Sequence, residues 1–327
     1  MQGDHSTMSQ EKQCKTTFRT NIGGQALIEG ILMRGPEKQA IVVRSPEGLV
    51  EKVEELRLVR DKYPVLGLPV IRGAVTFVDS MVKGVKALMF SADYFPEDDL
   101  AQPSKFDLWL EKTFGNEKTE KLISILAVIL SLGLTILLFF LLPTFLAGFI
   151  DPFIKSAALH NLVESTIKLL IFFGYMVLVS KQKDIQRVFQ YHGAEHKTIF
   201  CYEAGLPLTV ENCRIQPRHH PRCGTSFLFV VVVVSILVSS VAFTFVNWRS
   251  LWVRLAMHLL LLVPVIGVTY EFNRYVGGHD TPVTRFLSRP GLWLQNFTTN
   301  EPDDSMLEVA IRAMELVIPE NRDKAEW

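Results

Sequence analysis

The sequence predicts a mainly α membrane protein with about four transmembrane helices and a small β-rich cytoplasmic unit near its N-terminus, α+β overall. Hydrophobic residues make up 48% of the 327 residues, and the mean hydropathy is +0.22. The apolar residues gather into long blocks without charges, as in helices that span a bilayer. Before these blocks, short apolar runs alternate with glycines and turn residues, which is typical of strands.

The overall composition narrows the function classes. Lys+Arg and Asp+Glu both number 34, so no basic excess favours nucleic acid as a partner. The four cysteines lack a tight pairing pattern and fit a reducing compartment better than a disulfide framework. The polar N-terminus has no apolar segment of the kind that predicts a cleaved signal peptide. The expected partner is therefore the lipid bilayer, and the oligomeric state stays open.

The N-terminal part is predicted to be a tail followed by a sheet. Residues 1–20 are polar and lack periodicity, which predicts a disordered tail. Residues 21–66 form the β-rich unit, in which a turn at 45–48 joins two of the strands. The predicted strand regions lie within 23–36, 40–44 and 49–56.

Residues 67–121 are predicted to hold helices and a linker. From 68 to 92 the apolar residues follow helical spacing, and charged residues lie opposite them. This helix either packs on the β-rich unit or lies in the membrane interface. An acidic linker at 93–104 and a short helix at 106–114 complete the region.

Four apolar blocks are candidates for transmembrane helices. The first is the clearest, because it contains 21 residues without a charge. The predicted spans are 122–142, 162–180, 227–246 and 251–270. An even number of crossings would place both termini on the same side of the membrane.

The distribution of basic residues predicts that side. The connection between the second and third spans, residues 181–225, carries seven Lys and Arg residues, and the other connections carry one or two. Positive connections stay inside the cell, so this loop and both termini are predicted to be cytoplasmic. The remaining residues, 271–327, form a cytoplasmic tail with loops up to residue 300 and a helix over 305–317, where Asp303 and Asp304 suit an N-terminal cap.

The predicted cytoplasmic loop contains the motif His-x-x-Glu-His. His192 and His196 are four residues apart, so on a helix both imidazoles lie on one face and can reach one metal ion. Glu195 stands beside the second histidine, where it could act as general base toward a metal-bound water. This is the reversed form of a zinc hydrolase motif. Zn²⁺ is therefore the expected cofactor.

A third ligand must come from elsewhere in the chain. If the helix is continuous, Glu203 lies roughly 10 Å along it from His196, too far for a metal bond. Glu203 could then act behind the ligands, unless the helix ends before residues 205–207. Glu271, at the cytoplasmic end of the fourth predicted span, is the first candidate, although a helical pair with Arg274 would also explain its carboxylate. His220 and Cys223 are the other candidates. His160 and His258, each alone near apolar sequence, are interpreted as structural.

Four motifs together resemble the YqhQ-like family of bacterial integral membrane proteins. They are GGQALIEGILMRGP at 23–36, YHGAEHKT at 191–198, HPRCGTSF at 220–227 and TTNEPDD at 298–304. The resemblance covers the chain from about residue 20 to 317. It implies a multi-pass protein of the bacterial inner membrane in a family of unknown function that is often labelled a predicted metal-dependent enzyme. The soluble zinc peptidases with the reversed motif are not a comparable fold, because two spans separate His196 from Glu271 here.

The sequence therefore favours a metal-dependent hydrolase at the cytoplasmic membrane face, acting on a peptide or a lipid headgroup. The alternative is a non-enzymatic membrane scaffold or transporter in which the polar loop is structural. A metal sensor or carrier is a third class, in which His220 and Cys223 would matter as much as the histidine pair.

Overall fold

The computed structural model describes residues 18–56, 63–94, 116–154, 156–243, 245–246 and 250–326. Most of the predicted tail at 1–20 and the whole predicted helix at 106–114 lie outside these ranges. The described residues confirm the predicted fold class, a mainly helical chain with a small antiparallel sheet near the N-terminus. The chain divides into two compact units, the first of which contains Met1–Phe95, Met176–Val234 and Val263–Trp327. The second contains Pro96–Tyr175 and Ser235–Leu262.

The sheet of the first unit has four antiparallel strands in sequential order. They are β1 Gly23–Leu27, β2 Gly30–Arg34, β3 Lys38–Ser45 and β4 Gly48–Glu55. Each predicted strand region overlaps at least one of them, and the region 23–36 contains both β1 and β2. The tight turn between β3 and β4 lies where Ser45 pairs with Gly48, as the Pro46-Glu47 sequence predicts.

Helices cover both faces of this sheet. Side chains alternate along β2, so Ile31 and Met33 face one side and Leu32 faces the other. Helix α1, Ile71–Ala92, packs Ala87 against the Leu32 side. The Ile31 side is covered by two helices introduced below as α5 and α10. The predicted packing of α1 on the β-rich unit is therefore present.

Eight of the remaining helices follow in chain order. They are α2 Asn116–Ile136, α3 Leu142–Gly148, α4 Ala157–Val179, α5 Lys183–Glu203, α6 Val210–Arg214, α7 Gly224–Ala242, α8 Leu251–Gly278 and α9 Pro282–Thr298. A π-helical turn, Leu137–Leu141, joins α2 to α3 without a break. The last helix, α10, is Asp304–Glu315, and Asp303 accepts the backbone N–H of Met306 as its predicted cap.

The structure differs from the prediction at α9, because residues 281–300 were expected to form loops. Thr281 and Thr284 exchange side-chain-to-backbone hydrogen bonds in a capping box, and Pro282 occupies the first turn. Proline is favourable there, because the first N–H groups of a helix have no partner within it. The prolines and glycine that suggested loops are thus compatible with a helix that contains Pro290.

Four helical segments among the described residues are long and apolar enough to cross a membrane. They are Ile125–Gly148, Leu159–Val179, Gly224–Ala242 and Trp252–Gly278. Each overlaps one of the four predicted spans. Their apolar surfaces indicate a protein that associates with a lipid bilayer.

The second unit contains a buried group of polar side chains, which we call the span cluster. Its members are Thr144, His160, Glu164, Arg254 and His258. Glu164 Oε1 accepts hydrogen bonds from Thr144 Oγ1 at 2.6 Å and from His258 Nε2 at 3.1 Å. Arg254 Nη1 lies 2.7 Å from His160 Nε2 and 3.7 Å from Glu164 Oε2. Acids and bases therefore face one another within this cluster.

Candidate metal centre

Three side chains of the first unit converge on a common point, and we call them the donor group. They are His192 and His196 of α5 and Cys223, which immediately precedes α7. Their potential ligand atoms all lie within 4.8 Å of one another. His192 Nε2 is 3.1 Å from Cys223 Sγ, and the two imidazole centroids are 4.4 Å apart. Two imidazoles and a thiol in this arrangement could hold one metal ion, with short movements to bond lengths of about 2.0–2.3 Å.

Gly193 lets another part of the chain approach α5 between the two histidines. A Cβ atom at this position would collide with the backbone oxygen of Asn300. Asn300 N–H donates to the carbonyl of Phe189 at 2.8 Å, so the segment is fixed against the helix. A glycine inside a helix costs roughly 1 kcal/mol against alanine, and here it permits this close contact.

Backbone carbonyls hold both histidines from behind. His192 Nδ1–H donates to the carbonyl of Thr298 at 2.8 Å, and His196 Nδ1–H donates to that of Arg218 at 2.5 Å. Since a carbonyl can only accept, the hydrogen of each neutral ring is on Nδ1 and the lone pair is on Nε2. Metal-binding histidines are commonly oriented in this way.

Lys197 positions the segment that reaches His196. Its ammonium group donates to the carbonyls of Arg214 and Gln216, both at 2.9 Å, and forms an ion pair with Glu301. These bonds fix the chain just before Arg218, whose carbonyl accepts from His196. Lys197 is therefore a positioning residue for the donor group.

The electrostatics of the donor group favour a deprotonated sulfur. Burial raises the pKa of the Cys223 thiol, but the imidazoles of His192 and His196 outweigh it and hold this pKa well below its usual range. Burial lowers the pKa of His192, and the opposing charge of Cys223 overcomes this and raises it to about 9. The thiolate is the form of cysteine that binds metals.

Glu195 is buried beside the donor group. Its Oε1 accepts the backbone N–H of Gly24 in β1 at 2.9 Å. Its Oε2 is also buried and accepts no hydrogen bond from the residues that the structure describes. Burial raises the pKa of this carboxyl group, and the two neighbouring imidazoles oppose that rise.

A cavity of about 330 Å³ gives access to these residues. His192, Glu195, His196 and Cys223 line one part of it. The lining also includes residues of β1, β2 and α1, namely Gly23, Gly24, Gln25, Arg34, Thr76 and Ser80. Such a volume is within the range of small-molecule sites.

His220 also lines the cavity, but its imidazole faces Glu203 and is not part of the donor group. Its ring centroid lies 5.5 Å from that of His196, while its Nε2 is 3.8 Å from Glu203 Oε2. Glu203 also binds Arg222 and the backbone N–H of Thr20. This arrangement is compatible with a role for Glu203 behind the proposed metal ligands. His220 lies beside Glu203 in the same position.

Comparisons with known proteins give the family. The family model described as "Protein of unknown function (DUF1385)" matches residues 68–320. The chain is 35% identical over 298 residues to "Uncharacterized protein YqhQ" of Bacillus subtilis (strain 168), covering 89% of this chain and 90% of that protein. This chain belongs to the DUF1385 family. No solved structure matches it significantly.

The resemblance to YqhQ-like proteins is thus confirmed, and the motifs of this DUF1385 member can be placed. The motif at 191–198 supplies both histidines, Glu195 and Lys197, and the motif at 220–227 supplies Cys223. The motif at 23–36 supplies the Gly24 N–H, and the motif at 298–304 supplies the Thr298 carbonyl. Four separate motifs therefore meet at one site.

The structure does not bring Glu271 to the donor group. Both carboxylate oxygens bind Arg72 of α1, at 2.7 and 2.5 Å, and Oε1 also accepts the N–H of Val70 at 3.3 Å. The sequence suggested Arg274 as the competing partner, but Arg72 is the one observed. Helical spacing alone points to Arg274, whereas the contact with Arg72 depends on the packing of α1 against α8.

Sequence reasoning also missed the backbone groups that orient the site. The carbonyls of Arg218 and Thr298 and the N–H of Gly24 have no side-chain signature. The glycine pair at 23–24 was the available signal, since glycines often mark a close approach of the backbone.

Proposed function

We propose that this protein is a metal-dependent hydrolase at the cytoplasmic face of a bacterial membrane, with Zn²⁺ held by His192, His196 and Cys223. One observation carries the proposal. Three donor atoms converge within 4.8 Å, and a backbone carbonyl orients each imidazole so that its Nε2 lone pair is available. Thiolate and imidazole ligands suit Zn²⁺, and three protein ligands are the number found in catalytic zinc sites.

The metal and Glu195 have separate roles in this proposal. A bound Zn²⁺ would act as a Lewis acid and lower the pKa of a water in its coordination sphere to about 7. Glu195 accepts a proton from the attacking water through Oε2, the oxygen without a hydrogen bond among the described residues. The Gly24 N–H fixes the carboxylate by binding Oε1.

The substrate would enter the 330 Å³ cavity beside Glu195. The polar lining, with Arg34, Thr76 and Ser80, favours a polar group such as a peptide segment or a lipid headgroup. Cys223 directly precedes the candidate span Gly224–Ala242, which supports a reaction close to the membrane surface. The excess of Lys and Arg in residues 181–225 supports the cytoplasmic side.

Metal content tests the binding part of the proposal. Purified protein should contain one zinc per chain by elemental analysis, and His192→Ala and Cys223→Ala should each remove it. Cobalt-substituted protein should show a thiolate-to-metal charge-transfer band that disappears in Cys223→Ala. His279→Ala is the control, because this exposed histidine lies at the end of α8 and outside the donor group.

Activity tests the role of Glu195. We expect slow hydrolysis of the small activated ester p-nitrophenyl acetate by the zinc-loaded protein. Glu195→Gln should keep the metal and lower this rate by about 100-fold or more, the typical contribution of general acid–base catalysis. If Glu195→Gln behaves like wild type and the protein holds no metal, the non-enzymatic scaffold or transporter is the better interpretation.

A further inference from the structure

Helix α1 presents a continuous apolar face to its surroundings. Seven large hydrophobic side chains on this helix are between 41% and 59% exposed. They are Ile71, Val78, Met81, Val82, Val85, Leu88 and Met89. Val78, Val82, Val85 and Met89 follow one another at intervals of three and four residues, so they form a stripe along the helix. A stripe of this extent marks an interaction surface.

The polar face of α1 points toward the protein instead. Asp79 binds Arg34 of β2 at 3.1 Å and Lys83 at 2.9 Å. Thr76 and Ser80 line the 330 Å³ cavity. A helix at a water-exposed surface has the opposite arrangement, with its apolar face toward the core. The outer face of α1 is therefore suited to an apolar environment.

The start of α1 contacts two of the candidate membrane spans. A Cβ at Gly73 would lie 2.6 Å from Tyr270 Cβ and 3.0 Å from Gly267 Cα, so these two helices are in close contact there. Gly267 and Tyr270 belong to the span Trp252–Gly278, not to a connecting loop. The ring of Phe77 also stacks on that of Phe227, in the span Gly224–Ala242, with centroids 5.8 Å apart.

These contacts indicate that lipid covers the apolar face of α1. A bilayer that surrounds the span at Gly267 and Tyr270 also reaches the first turns of α1, because the two helices touch at that depth. Val65 and Leu68, just before α1, are also large apolar side chains with high exposure. Lys86, at the edge of the stripe, can extend its charged end to the headgroups while its carbon chain stays in the apolar region.

We propose that the outer face of α1 is embedded in the lipid bilayer as an in-plane helix. Its seven apolar side chains contact acyl chains, and its polar face forms one wall of the cavity. Amphipathic helices bind membranes in this way when their apolar face is buried at the boundary between headgroups and acyl chains.

Site-specific photocrosslinking tests this proposal. p-Benzoyl-phenylalanine would replace Val78, Val82 or Val85, one at a time, in the full-length protein. Each variant would be reconstituted into vesicles of phosphatidylethanolamine and phosphatidylglycerol, irradiated, and examined by mass spectrometry of the intact chain. The matched control is the same substitution at Val53 of β4, a valine that is 45% exposed, compared with 49% for Val82.

We expect phospholipid adducts at the α1 positions, several-fold more abundant than at Val53. Crosslinks between two copies of this chain would overturn the proposal and identify α1 as a dimer contact. The absence of adducts, or equal adducts at Val53, would also overturn it. Three separate positions guard against a single variant that fails to fold, and elution at the wild-type volume in size-exclusion chromatography selects the variants that are scored.

Discussion

The donor group and the span cluster contain similar residues in opposite arrangements. Each has two histidines, and a buried glutamate, Glu164 or Glu195, belongs to the span cluster or lies beside the donor group. In the span cluster, Glu164 faces Thr144 and His258, and Arg254 faces His160. In the donor group, each imidazole Nδ1–H binds a backbone carbonyl, and the Nε2 atoms face one another and the Cys223 sulfur.

Because of this difference, we interpret the span cluster as structural and propose the donor group as a metal site. Acids and bases that pair in this way stabilise helix packing in an apolar environment, although Glu164 Oε2 and Arg254 Nε form no hydrogen bond with the described residues. Lone pairs directed at a common point repel one another unless a proton or a metal ion lies between them. Histidine spacing in the sequence does not distinguish the two cases, whereas the partners of the ring nitrogens do.

The largest expected effect is the loss of a charge from the span cluster. Glu164→Leu would leave Arg254 buried without its acidic partner, which typically costs about 3–5 kcal/mol of stability. Unfolding in mild detergent, followed by circular dichroism, would measure this loss. The double variant Glu164→Leu with Arg254→Leu should recover part of it. A single variant that loses less than about 1 kcal/mol would contradict the structural interpretation of this cluster.

A ligand substitution in the donor group should act on metal binding instead. Cys223→Ser replaces a thiolate by a hydroxyl group, a poor ligand for zinc, and should weaken zinc affinity at least about 100-fold, or about 2.7 kcal/mol. Competition with a chromophoric chelator would measure the affinity. Cys213→Ala is the control, because that cysteine is buried in the core of the first unit and should leave the affinity unchanged.

The stability of the metal-free variants gives a further comparison between the donor group and the span cluster. Without zinc, Cys223→Ser removes the sulfur that faces the His192 imidazole. Because the neutral imidazole keeps its Nδ1–H bond to the Thr298 carbonyl, we expect a smaller loss of stability than for Glu164→Leu. If it destabilises the metal-free protein as much as Glu164→Leu does, the donor group is a structural cluster as well.

The sequence predicted the parts of the fold that depend on local pattern. Helical spacing placed His192 and His196 on one face, and the uncharged run at 122–142 marked a span. It favoured Glu271 as the third ligand, whereas Cys223 is the residue that lies beside the two histidines, because this placement depends on how α1, α5 and α8 pack. The loop prediction for residues 281–300 was wrong. Pro282 and Pro290 suggest loops by composition, but Thr281 and Thr284 cap a helix there.

A smaller effect is expected at Gly193, which separates the two histidines. Gly193→Ala would push Asn300 away and should cost about 1–3 kcal/mol of stability. The shift would also move the Thr298 carbonyl from His192, so zinc affinity should fall about 10-fold. Gly174→Ala is the control, because a Cβ there meets nothing within 4 Å, and it should be neutral or slightly stabilising. Equal effects of the two substitutions would show that the contact with Asn300 is unimportant.

The smallest effect is expected from a substitution of Glu271. This substitution tests whether the third ligand is Glu271, which the sequence suggested, or Cys223. Glu271→Gln keeps the shape of the side chain and weakens only its ion pair with Arg72, whose two side chains are 23% and 26% exposed. Such a partly exposed pair is worth about 1 kcal/mol or less. Zinc stoichiometry should remain at the wild-type value, in contrast to Cys223→Ser. Loss of zinc from Glu271→Gln would mean that this carboxylate is a ligand after all, because its replacement disturbs no member of the donor group.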